Sequence, residues 1–267
     1  MASIINNIPA MTSRRNLALS ERGLNSTINK LSTGLRINNA GDDAAGLHIS
    51  NNLRADIRIL MQARRNANDG IGVINIADGV LEEATNLLTR GAQLAEQAAS
   101  GTTSTAGRVA IDQEWQELLQ AIDDLGTDTL YDGSTIFGGN YTVQVGDYNT
   151  QDVTIQPGAL DTASLGLTAD MLSSASAETA LQEIQAAITS VSANRGALGA
   201  AQSRLNTIIN SLGITSENVQ AAESQIRDAN IADEVVNLTK YQILNQTGVA
   251  SLAQANQASQ AVLSLLQ

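Results

Sequence analysis

The sequence predicts a mainly α-helical protein, a long antiparallel coiled-coil helical bundle formed by N- and C-terminal segments, with a small β-hairpin region in the middle. Two apolar rows of seven-residue period carry the helical part. Leu53, Leu60, Ala67, Ile74, Leu81, Leu88 and Ala95 form one row, and Ile184, Val191, Leu198, Leu205, Leu212, Val219 and Ile226 form the other. A row with that period keeps one helix face against a partner helix along its whole length. The second row contains only larger apolar side chains, so it carries more weight than the first, which admits alanine. Proline agrees with the rows: Pro9 and Pro157 are the only two in 267 residues, and the long interval between them has no proline to break a helix.

The elements follow in chain order. Leu17, Leu24, Ile28, Leu31 and Leu35 make a first apolar stripe. Gly34 to Asp43 then holds two glycines and an Asn-Asn pair, a break after which Asp42 or Asp43 can cap the next helix by accepting its free N–H groups. A helix from about Ala44 to Ser100 would be roughly 85 Å long at 1.5 Å per residue, longer than a compact domain of this size, so it needs partners along its length. Between Tyr131 and Pro157 the pattern changes to alternation. Tyr141, Val143 and Val145 share one face, Thr142 and Gln144 the other, with Gly138-Gly139-Asn140 and Gly146-Asp147 as turns. Helical patterning resumes with the second row and ends on Val235, Leu238, Val249, Leu252, Leu263 and Leu266. The order helix, β, helix lets the two ends fold back antiparallel, with the middle at the far tip.

Composition narrows the function classes. Apolar residues make up 43% of the chain and aromatic residues only 2%, an aliphatic, alanine-rich supply suited to close helix packing. The net charge of −12 and the presence of only two lysines, Lys30 and Lys240, argue against nucleic-acid binding. No basic segment followed by an apolar run opens the chain, and no apolar run approaches a membrane span, so neither cleaved export nor membrane insertion is expected. Cysteine is absent, which excludes disulfides and thiol catalysis and suits a chain threaded unfolded through a secretion channel.

The placement of charge says more than its total. Residues 101–180 hold twelve acids against one base, Arg108, whereas Met1 to Ser13 and Tyr241 to Gln267 hold no charged side chain. Solvated helices carry Glu and Lys, so an uncharged but helically patterned end is built for burial against other chains.

Four blocks then become recognisable: LSTGLRINNAGDDAAGLHIS from Leu31, RNANDGIGVINIADGVLEE from Arg65, NRGALGAAQSRL from Asn194, and DANIADEVVNLTKYQILNQTGVASLAQANQASQAVLSLLQ from Asp228. In this order they closely resemble bacterial flagellin. The resemblance implies a secreted, extracellular subunit of the flagellar filament that serves motility. Residues 1–43 and 228–267 would form inner filament-core helices, 44–130 and 175–227 an outer coiled-coil domain, and 131–174 a short variable region with the β-hairpin. The expected self-assembly core is Ile4, Ile8, Leu24, Ile28, Leu31, Leu35, Val235, Leu238, Val249, Leu252, Leu263 and Leu266. Assembly would order Ile4 to Leu35 and Ile231 to Leu266 into a helical pair. The resemblance also implies a flagellar export chaperone, a filament cap and hook-junction proteins as partners, besides the chain itself. In flagellins recognised by the Toll-like receptor for flagellin, an Arg and a Leu one turn apart and a Glu on the next helix contact the receptor. Arg90, Leu94 and Glu114 match those places, while Gly91, Ala92 and Gln93 depart from the bulkier or charged residues common around them.

Two other readings are weaker. A hook–filament junction protein shares similar ends but forms a single ring, and the complete C-terminal block favours the filament. Catalysis lacks its parts: His48 is the only histidine, so one chain assembles no triad and no His-rich metal site. No cofactor is expected. Gly70-Ile71-Gly72 with Gly79 has the wrong spacing for a dinucleotide loop and reads as close helix contact or a local bend.

Overall fold

Each long helix begins where a polar side chain accepts an otherwise unpaired backbone N–H. The computed structural model describes residues 7–146 and 152–264, with side chains through residue 258 at the C-terminal end. Asn7 accepts the Ala10 N–H to start α1 (Ile8–Thr33), and Asp43 accepts the Gly46 N–H to start α2 (Ala44–Ala99). Ser104 does the same for α3 (Thr105–Asp128), Ser173 for α4 (Ser174–Arg227) and Asn230 for α5 (Ile231–Ser264). Of the two aspartates read as possible caps, Asp43 is the one that caps. Asp42 instead closes the preceding loop, accepting the Asn38 and Asn39 N–H groups at 3.0 and 2.9 Å. Gly34 ends α1 in the left-handed region at φ 71°, its N–H reaching Lys30 O, a conformation that glycine adopts without a Cβ penalty.

Between α3 and α4 lie two small antiparallel hairpins. β1 (Leu130–Tyr131) pairs with β2 (Ser134–Thr135), and β3 (Tyr141–Gln144) with β4 (Asp152–Ile155) in the register Tyr141 to Ile155. The second hairpin is the one the alternation predicts, although Asp147, half of its predicted turn, lies outside the described residues. The first arises from a signal not used above: Asp132-Gly133 sits at φ 50° and 76°, the doubly positive pair that closes two-residue hairpins.

The chain divides into two compact units, one of Met1–Ala55 with Asn218–Gln267 and one of Asp56–Glu217. The division falls inside α2 and α4, so the first turns of α2 and the last turns of α4 cluster with the terminal helices. In the larger unit α2 and α4 run antiparallel. Asn75 meets Gln202 at 3.0 Å, Asp78 meets Arg195 at 2.7 Å, and Ala99 O accepts the Ser174 hydroxyl at 2.7 Å. One continuous core holds Ile74, Leu81 and Leu88 of α2, Ile111, Trp115 and Ile122 of α3, and Ile184, Val191, Leu198 and Leu205 of α4. Val153 and Ile155 of β4 join it from the hairpin.

The irregular segment after β4 is held by carboxylates. Asp123 accepts the Thr162 N–H at 2.7 Å, Asp112 the Met171 N–H at 2.8 Å, and Glu183 those of Thr168 and Ala169 at 2.8 and 2.9 Å. Part of the acidic excess in the middle of the chain is therefore structural acceptor rather than solvated surface. Burial alone pushes the Glu183 carboxyl up, and its bonds to Ala169 and Thr168 more than offset this, holding it below its ordinary value.

Candidate functional site

The terminal helices α1 and α5 pair antiparallel along the length of α1. At one end the Asn7 amide donates to Ala255 O at 3.1 Å, and Ser13 meets Ser251 at 3.3 Å. Midway, the Tyr241 ring lies so close to Gly23 that a Cβ there would stand 2.5 Å from two ring carbons. Toward the other end Lys30 approaches Glu234 at 3.7 Å. There the two chain turns are stitched together. Ala229 N–H donates to Gly34 O at 2.9 Å, Arg36 N–H donates to Arg227 O at 2.6 Å, and the Arg36 guanidinium donates to Ile226 O, satisfying carbonyls that the end of α4 leaves open. Asp42, on the same turn, is held below its ordinary carboxyl pKa by the Asn39 and Asn38 N–H groups.

This pairing leaves much apolar surface outside. Leu24, Leu31, Leu35, Leu238 and Leu252 are half-buried, while Ile8, Ile28, Val235 and Val249 are exposed. Ile4, Leu266 and the side chain of Leu263 lie outside the description. Sequence reasoning missed several neighbours: Met11, Leu19, Val236, Ile243 and Leu244 are also exposed, Val236 at 67%. They stand off the stripes, and the signal that could have found them was an apolar residue on a non-stripe face of a charge-poor helix. Ten of the eighteen large apolar side chains exposed among the described residues belong to α1 and α5.

The coiled-coil rows face inward. Ile74, Leu81, Leu88, Ile184, Val191, Leu198, Leu205 and Leu212 are buried, and Leu53, Leu60, Val219 and Ile226 are half-buried. Gly70 fits the close-contact reading, since a Cβ there would meet Val143 Cγ2 at 2.8 Å. Gly72 and Gly79 meet nothing within 4 Å. His48 is exposed, near Asn52.

At the expected receptor contact the structure joins two residues and separates the third. Arg90 donates to Glu114 Oε1 through Nε at 2.9 Å and Nη2 at 2.7 Å, on the surface. Leu94 is 2% exposed inside the core, so in this fold it presents no side chain to a partner. Gly91 has a local reason: the only tryptophan, Trp115, lies against its Cα, and a Cβ would overlap the indole.

Two long helices returning on one another, with the chain ends joined as one pair whose apolar outer faces stay open, define a coiled-coil subunit of a polymer. Comparison with known proteins gives the family. The bacterial flagellin N-terminal helical region matches residues 4–142 and the bacterial flagellin C-terminal helical region residues 181–266. A flagellin of Halalkalibacterium halodurans is 40% identical over 99% of this chain and 100% of its own. The flagellin FlaB2 of Treponema pallidum is 37% identical with the same coverage, and the crystal structure of Bacillus cereus flagellin aligns with a TM-score of 0.50 at 27% identity over 55% of this chain and 88% of that one. The chain belongs to the bacterial flagellin family and is a structural subunit of the flagellar filament, an extracellular assembly. Among the described residues no helix is long and apolar enough to cross a membrane.

Proposed function

We propose that the paired ends, 1–43 and 228–267, form the inner core of the filament, that 44–130 and 175–227 form its outer coiled-coil layer, and that 131–174 faces solvent. The observation that carries this is the open apolar surface of α1 and α5. Burying one large aliphatic side chain contributes about 1.5–3 kcal/mol, whereas ordering each residue costs about 1–2 kcal/mol. Within one chain the pair lacks the burial to offset that cost, and neighbouring copies complete it. Folding of the ends and polymerisation are thus one coupled event, and head-to-tail contacts that do not close generate an open helix. No catalytic role is assigned.

The export chaperone, filament cap and hook-junction proteins enter as partners on family grounds alone, and so does secretion through a channel. Recognition by the Toll-like receptor for flagellin narrows to the exposed pair Arg90 and Glu114, because Leu94 is enclosed. Electron microscopy of purified chain seeded with filament fragments tests the assembly reading. Intact chain elongates the seeds, and a chain lacking Tyr241 to Gln267 does not. Elongation undiminished by that truncation overturns the assignment of the core.

A further inference from the structure

An open groove of about 410 Å³ runs between α2 and α3, wholly within the larger unit. Leu87, Ala121 and Leu125 line its apolar floor, half-buried, and the exposed carboxylates Glu83, Asp124 and Asp128 line its rim. Asp124 and Asp128 make no ion pair among the described residues. The rim is no metal site, because among the described residues no three acids, histidines or cysteines are arranged to hold an ion. An apolar trough edged by unpaired negative charge fits an apolar side chain flanked by cations.

This chain carries such a patch. On the same helix, Met61 is 45% exposed and stands among Arg58, Arg64 and Arg65, all exposed. Among the described residues Arg58 and Arg64 make no ion pair, and the Arg65 guanidinium bonds only Gln62, one turn away. The two surfaces cannot meet within one chain. Met61 and Leu87 are separated by about 39 Å along α2 at 1.5 Å per residue. They also lie on different flanks. Met61 and Arg64 stand two heptads before Asn75 and Asp78, which face α4, whereas Glu83 stands one heptad before Arg90, which meets α3.

We propose that the groove between α2 and α3 receives the Arg58–Met61–Arg64–Arg65 patch of a second copy of this chain. Met61 enters the floor at Leu87 and Leu125, and the guanidinium groups pair with Asp124, Asp128 and Glu83, charge-assisted bonds that fix register as well as affinity. Complementary patches on different flanks, offset along the axis, match head-to-tail and leave one free patch and one free groove at the ends of any row, so the contact propagates. It rests on the polymer reading above and adds to the terminal helices a second, electrostatic contact in the outer layer.

The test is seeded elongation with two double variants, Asp124→Arg with Asp128→Arg and Arg58→Glu with Arg64→Glu. All four positions are exposed, and thermal unfolding checks that each variant folds as the parent does. Each variant alone should elongate at least tenfold more slowly at low salt. An equimolar mixture should recover to within about threefold of the parent, because each variant's patch then meets an opposite charge in the other's groove. Parent elongation should also slow between about 20 and 200 mM NaCl, as screened pairs weaken. Either variant elongating at the parent rate, a folded pair failing to rescue one another, or a salt-independent parent rate overturns the contact. Parent chain that never elongates overturns the polymer reading itself, a distinguishable result.

Discussion

The larger unit and the terminal unit use similar helices in opposite ways. Among the described residues, thirty-one of the thirty-two buried apolar side chains belong to Asp56–Glu217, and the terminal unit contributes Ile37 alone. The larger unit encloses three helices and a hairpin around one core, so a single chain satisfies it. The terminal unit stitches the turn after α1 to the turn between α4 and α5 at Gly34, Arg36 and Ala229, and joins α1 to α5 through the Asn7 and Ser13 side chains, a tyrosine on a glycine and a lysine–glutamate contact. Many of its large apolar residues are exposed, among them Ile8, Ile28, Val236 and Val249. One unit is finished by folding, and on the function proposed above the other is finished by assembly.

The largest expected effect separates them directly. Leu205→Ala, in the completed core, should destabilise the free chain by about 2–5 kcal/mol, the usual cost of a cavity at a buried leucine. Val249→Ala, at a side chain 53% exposed, should change the free chain by no more than about 0.5 kcal/mol and still slow seeded elongation. Thermal unfolding of the monomer beside elongation kinetics reads both. If Val249→Ala destabilises the monomer as much as Leu205→Ala does, the contrast between the units collapses.

A smaller effect is expected at Gly91, a close contact inside the larger unit. Gly91→Ala places a methyl where the Trp115 ring lies, and overpacking of this kind costs about 1–3 kcal/mol. Trp115 is the only tryptophan and its indole N–H donates to Ala169 O at 3.3 Å, so a displaced ring should shift the fluorescence maximum and weaken the anchor of the 169–171 backbone. An unchanged spectrum and melting temperature would show that the contact yields freely.

The same contrast explains what the sequence revealed. The heptad rows were legible because a seven-residue period needs no knowledge of the partner, and they lead to Ile184, Val191, Leu198 and Leu205 in the core. The break at Gly34 to Asp43 was legible from glycine and aspartate chemistry. Leu94 was not, because Arg90 and Leu94 read as one surface turn until α3 is placed, and α3 then covers that flank of α2. Gly91 looked like a departure from a family pattern, and only the position of Trp115, more than twenty residues away, gives it a reason. The acids read only as an excess of charge in the middle of the chain, since one-dimensional patterning shows how much charge a segment carries but not which N–H groups it faces. The outward residues of α5, Val236, Ile243 and Leu244, were hidden for the opposite reason: stripe reasoning assumes one buried face.

The smallest expected effect is a pH response that each unit shows at one carboxylate. Glu183 of the larger unit and Asp42 of the terminal unit both titrate below their ordinary values, and both bond backbone N–H groups. A carboxyl lowered by folding contributes stability that is fully present above its unfolded pKa and is lost as pH falls through the folded value. Acidification from neutral should therefore change little until below the ordinary carboxylate range, and should then loosen 168–169 and 38–39 together. Amide hydrogen exchange at Thr168, Ala169, Asn38 and Asn39 reads this site by site. Glu183→Gln should remove the acid step at 168–169 and leave the one at 38–39 intact, because the two carboxylates belong to different units. If Glu183→Gln abolishes both steps, the units are not independent below neutral pH, and the contrast between them holds only near it.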